Sequence, residues 1–123
     1  MATSILVVED DETQRALLRE VLGKEGRLIV EAVTALEGLN YAKDHPVDVL
    51  MLDLHLPGKF DGFSLCEELR KDPRHARLKV VVISGYADPL DRIDAARLKV
   101  DRYFLKPVDV WELAKALDDL ESE

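Results

Sequence analysis

A chain of 123 residues suffices for one domain with its own core, here taken to span residues 1–123. A net charge of −8 argues against general attraction to nucleic acid or to an anionic membrane surface, and no apolar run is long enough to cross a bilayer. The single cysteine, Cys66, cannot close an internal disulfide, which suits a reducing cytoplasm.

The opening MATSILVV leads straight into an apolar branched run at residues 4–8, read as a buried strand, with little room for a targeting leader. Four acids follow, Glu9-Asp10-Asp11-Glu12. Asp11 is placed to cap a helix over residues 12–24, whose apolar positions Ala16, Leu17, Val21 and Leu22 share one face. Gly26 suits a left-handed stop, and residues 28–30 (LIV) read as a second strand. Thr34 and Glu37 form a capping-box pair for the next helix, which Pro46 closes.

Residues 47–52 (VDVLML) are apolar apart from Asp48, as expected of a central parallel strand covered on both faces. That strand ends at Asp53. The stretch from Leu56 to Gly62 (LPGKFDG) has the turn chemistry of a loop. A helix is expected over residues 63–71, with Leu65, Cys66 and Leu69 inward and Pro73 barring its continuation. Residues 78–83 (LKVVVI) form a fourth strand ending at Ser84-Gly85. Pro89 suits the start of a fourth helix carrying Leu90, Ile93 and Ala96. Residues 103–105 (YFL) form a short fifth strand before Lys106-Pro107. Asp109 and Glu112 cap a last helix with the stripe Leu113, Ala116, Leu117 and Leu120.

Strands and helices alternate throughout, which predicts an α/β fold: a doubly wound five-stranded parallel sheet with five helices on both faces. In such sheets ligands sit beyond the carboxyl ends of the strands. Those ends carry Glu9 and Asp10, then Asp53, Ser84 and Lys106. Three carboxylates in one pocket repel one another. A hard divalent cation with oxygen ligands relieves this, and Mg2+ suits few carboxylates, several waters and room for a phosphate oxygen. No His or Cys cluster favours zinc. Lys106 adds a movable positive charge and Ser84 a small hydroxyl. The set fits attack by the Asp53 carboxylate on a phosphoryl group, with the metal and the ammonium balancing charge on the transferring oxygens. The added charge on Asp53 would then draw Ser84 and Lys106 inward, as in a switch.

At these residues the chain resembles the receiver domain of bacterial two-component response regulators. The matching pieces are ILVVEDD, DVLMLDLHLPG, VVVISG and YFLKP, in that order over nearly the whole chain. The resemblance implies the flavodoxin-like strand order 2-1-3-4-5. It also implies that Asp53 is the phosphoacceptor and that Mg2+ is held by Glu9, Asp10, Asp53 and the backbone carbonyl of His55. Ser84 and Tyr103 match the family's switch residues, and Lys106 its lysine, with a cis bond to Pro107 expected. The implied partners are a histidine kinase or histidine phosphotransfer protein, and downstream a protein or an attached output domain. No direct nucleic-acid or membrane contact is implied, the setting is cytoplasmic, and dimerisation is open.

Three departures from the family pattern stand out. The loop GKFDG is one residue longer than usual, and Leu98-Lys99-Val100 stands where the family often has a Gly-Ala pair. His55 and Tyr86 each lie two residues beyond a key position and are expected to tune phosphoryl lifetime, Tyr86 by shielding the acyl phosphate. Cys66 reads as core, His45 and His75 as exposed, and Trp111 as helix-flank packing or part of a docking face. Two alternatives stand beside this reading. One is an aspartyl-phosphate phosphatase or mutase, although His55 occupies the place where such enzymes carry a second Asp. The other is an unphosphorylated interaction module, against which the intact acids and Lys106 argue.

Overall fold

The computed structural model describes residues 2–85 and 89–123. The expected role of Tyr86 therefore lies outside the described residues. The strands β1 (Thr3–Val8), β2 (Arg27–Ala32), β3 (Val49–Leu52), β4 (Lys79–Ser84) and β5 (Arg102–Leu105) form one parallel sheet in the order β2-β1-β3-β4-β5. Five helices alternate with them: α1 (Glu12–Leu22), α2 (Ala35–Asp44), α3 (Gly62–Arg70), α4 (Pro89–Arg97) and α5 (Val110–Glu121).

Alternation along the central strands sorts the core into two halves. Leu6, Val8, Leu50, Leu52, Val80 and Val82 face Ala35 and Ala42 of α2 and Leu65 and Leu69 of α3. Ile5, Val7, Val49, Met51, Val81 and Ile83 face Leu18 and Leu22 of α1 and Leu113, Leu117 and Leu120 of α5. Each such Val, Leu, Ile or Met contributes roughly 1.5–3 kcal/mol when fully withdrawn from water. The two halves together explain why β1, β3 and β4 read as nearly unbroken apolar runs.

Register then decides the placement of the site. Val8 pairs with both Ala32 and Leu52, and Leu52 in turn with Val82. Residues that follow β1 and β3 therefore leave the sheet side by side. Side-chain caps start the helices where expected. Asp11 accepts from the Gln14 N–H, Thr34 from Glu37, and Asp109 from Trp111 and Glu112. Asp61 does the same for α3, accepting from Ser64.

Several local expectations are corrected. Gly26 does have a left-handed φ of +87°, but it turns the chain into β2, and α1 ends earlier, at Gly23. His75 is buried, not exposed: it lies in a short 3-10 turn, Pro73–His75, and its Nε2 accepts the Val47 N–H at 3.3 Å. Among the described side chains of α4, Ala95 is buried and Ile93 is exposed. In the loop after β3, Gly58 adopts φ +99° and Phe60 packs against the core.

Candidate functional site

Glu9 is the first residue beyond β1, and its backbone is held on both sides. Its N–H donates to the Ala32 carbonyl at 3.1 Å, and its own carbonyl accepts from Arg15 Nη1 at 2.8 Å. Its carboxylate is buried, with Oε1 accepting the Asp11 N–H at 3.2 Å. Asp53 occupies the equivalent place after β3, its N–H donating to the Val8 carbonyl at 3.2 Å. Asp53 Oδ1 accepts the His55 N–H at 2.9 Å, which leaves Oδ2 facing Lys106. Asp10 lies beside them, exposed.

Glu9, Asp10 and Asp53 each bring a carboxylate oxygen to within 4.8 Å of the others. Lys106 closes the cluster. Its Nζ lies 3.0 Å from Asp53 Oδ2 and 3.1 Å from Glu9 Oε2. Its own N–H donates to the Ser84 carbonyl at 2.8 Å, and the Lys106–Pro107 peptide is cis. Five of the positions singled out in the sequence thus meet at one corner. Ser84 is fully buried at the end of β4. Tyr103 lies lower on β5, packed against the core beside a recess of about 160 Å³ that it shares with Ala95, Ala96 and Val100. The His55 ring lies edge-on to Phe63, with centroids 6.4 Å apart.

Charge and burial oppose one another in this corner. Burial pushes the Glu9 carboxyl above its ordinary range, and the Lys106 ammonium only partly offsets this. Burial likewise disfavours the charge on Lys106, but the bonds to Asp53 and Glu9 outweigh it and hold its pKa above the usual value. An all-oxygen donor set, open to water at Asp10, fits a hard cation such as Mg2+ that retains several waters.

Two further residues that build this site go unmarked in the sequence apart from one hint. Arg15 fixes the Glu9 carbonyl from the first half of α1. Gly62 opens α3 so close to Asp53 that a Cβ there would collide with the Asp53 carbonyl oxygen and lie 2.8 Å from Leu54 Cα. Its place directly after the capping Asp61 was the one available hint.

Comparison with known proteins agrees with this architecture. A family model described as the response regulator receiver domain matches residues 5–118. The chain is 35% identical over 109 residues to the DNA-binding dual master transcriptional regulator RpaA of Synechocystis sp., covering 89% of this chain and 45% of that one. It is 34% identical over 115 residues to the KDP operon transcriptional regulatory protein KdpE of Escherichia coli, covering 94% and 49%. The chain thus spans less than half the length of either relative. Among solved structures, a putative response regulator from Chloroflexus aurantiacus superposes with a TM-score of 0.89 at 26% identity, covering 100% of both chains.

Proposed function

The chain belongs to the response regulator receiver family, and from that premise we propose that Asp53 accepts a phosphoryl group from a phosphohistidine on a kinase or phosphotransfer protein. An oxygen of Asp53 bonds to phosphorus as the phosphorus–nitrogen bond breaks, and the departing imidazole nitrogen keeps the electron pair. Water later cleaves the resulting acyl phosphate. The observation that carries this reading is the single ammonium shared by Asp53 and Glu9 at 3.0 and 3.1 Å. Lys106 is thereby placed to follow negative charge from a carboxylate to a phosphoryl oxygen.

Glu9, Asp10 and Asp53, with the His55 carbonyl, would hold Mg2+, which would supply neutralisation of the phosphoryl oxygens. The His55 N–H keeps Asp53 oriented through Oδ1. Ser84 and Tyr103 are assigned the switch, and the output passes to a downstream protein or an attached domain. In this reading residues 1–123 form one receiver unit in the cytoplasm, acting as an acceptor without turnover of a separate substrate.

Exposure of the purified chain to acetyl phosphate and Mg2+ should add one phosphoryl group by intact mass, with none in Asp53→Asn. Labelling that persists in Asp53→Asn, or wild type that stays unlabelled with the metal present, refutes the proposal.

A further inference from the structure

Arg70 ends α3, and its guanidinium reaches three backbone carbonyls on two other parts of the chain. Nη1 donates to Leu78 at 2.8 Å, just before β4. Nε donates to Leu98 at 3.2 Å and Nη2 to Lys99 at 2.9 Å, at the carboxyl end of α4. The Leu98 carbonyl, at the cap of α4, is one of the orphans that a helix end leaves. A positive group there also complements the helix dipole.

The backbone of that end is itself unusual. The N–H of Val100 donates to the Ala95 carbonyl and that of Lys99 to Ala96, the paired bonds of a Schellman turn. The turn puts Lys99 at φ +59°, a left-handed conformation that glycine adopts freely and lysine does not. Strain of this sort persists only where the surroundings over-determine it. The planar fork of Arg70 adds to the turn's own bonds by holding the carbonyls on both sides of the Lys99 Cα. By contrast, α4 has little other anchorage from Ile93 to Arg97. Ala95 alone is buried there, while Ile93, Ala96 and Arg97 are exposed. α3, which carries Arg70, is firmly seated by Gly62, Leu65, Cys66 and Leu69.

We propose that Arg70 is a positioning residue that pins the carboxyl end of α4 to α3 and β4, making Leu98–Val100 a fixed pivot for any rearrangement of that helix. A lysine in its place would bring one point charge and lose the three-way fork.

Amide hydrogen exchange tests the pin directly. In Arg70→Met, which keeps the aliphatic stem, the Lys99 and Val100 amides should exchange about tenfold faster than in wild type. The central β3 amides Leu50 and Met51 report any global loss and should change much less; Arg70→Lys should fall between. Lys99 and Val100 amides that stay as protected as in wild type, or that change only as much as Leu50 and Met51, overturn the proposal.

The pivot rests on the phosphoryl reading and has its own arm. On labelling with acetyl phosphate and Mg2+, wild-type amide chemical shifts should move more at Ile93 and Asp94 than at Lys99–Asp101. In Arg70→Met the movement should extend through Lys99–Asp101. Equal movement at both places in wild type, or the same pattern in the variant, overturns the pivot. A chain that takes no phosphate, by intact mass, removes the functional reading and the pivot with it, and leaves the pin to be decided by the exchange rates.

Discussion

Replacing Lys99 by glycine should stabilise the protein, although glycine ordinarily costs stability. Lys99 holds φ +59° in the turn that ends α4, and its side chain is exposed. Relief of the left-handed penalty is worth about 1–2 kcal/mol. Against it stands the greater freedom of glycine in the unfolded chain, about 0.4–1 kcal/mol. The net gain is about 0.5–1 kcal/mol. With an unfolding entropy near 2.1 cal/mol/K per residue, a chain of this length has roughly 0.26 kcal/mol/K at its midpoint, so Tm should rise by about 2–4 °C. The bonds from Arg70 go to main-chain oxygens, which the substitution leaves in place. Lys99→Ala is the control, because it removes the same long side chain but keeps the Cβ that makes the conformation costly. Urea unfolding and calorimetry on the three proteins supply the comparison. If Lys99→Gly is no more stable than Lys99→Ala, the backbone at this turn is not strained and the reasoning fails.

Three further outcomes follow from the site and its surroundings. Gly62→Ala should lose about 3 kcal/mol of stability, because its Cβ would collide with the Asp53 and Leu54 backbones and neither can swing aside; it should also slow labelling of Asp53, and unchanged unfolding and labelling would contradict the contact. Mg2+ should stabilise the fold by about 1.4 kcal/mol at ten times its dissociation constant, which raises the unfolding midpoint, and the effect should vanish in Asp10→Asn; a midpoint indifferent to Mg2+ would count against the metal site. Asp72 is held far below the carboxylate range by side-chain and backbone bonds from Arg74, so its ionised form stabilises the fold. That contribution should be complete above the unfolded carboxylate pKa and fade as pH falls toward the folded one, so the Tm gap between wild type and Asp72→Asn should narrow in acid; a gap that widens reverses the sign.

Much of this was legible in the chain because the core strands are buried on both faces. VLML and KVVVIS can satisfy that environment only as central strands, and once their order is set the residues that follow them must meet. The convergence of Glu9, Asp10, Asp53 and Lys106 is thus a property of topology, readable from the residue types at each strand end. What escaped notice depends on partners distant in sequence. His75 looked like a loop residue because its neighbours are proline and arginine. In the fold it is buried, and its Nε2 accepts the N–H of Val47, 28 positions away. The sequence does not say which face of α4 turns inward; among its described side chains small Ala95 is buried while Ile93 is exposed. Arg70 gave no signal at all, since an arginine at a helix end is ordinary and only the folded chain brings three carbonyls to it.

Trp111 is 83% exposed at the start of α5, four residues beyond the cis proline that follows Lys106. It is also the sole tryptophan in the chain. The protein therefore carries an indole fluorophore in open water, close along the chain to its anionic corner. Quenching or a blue shift of its emission can report docking at that end of α5 without any attached dye, and against a partner lacking tryptophan the whole indole signal belongs to one side chain.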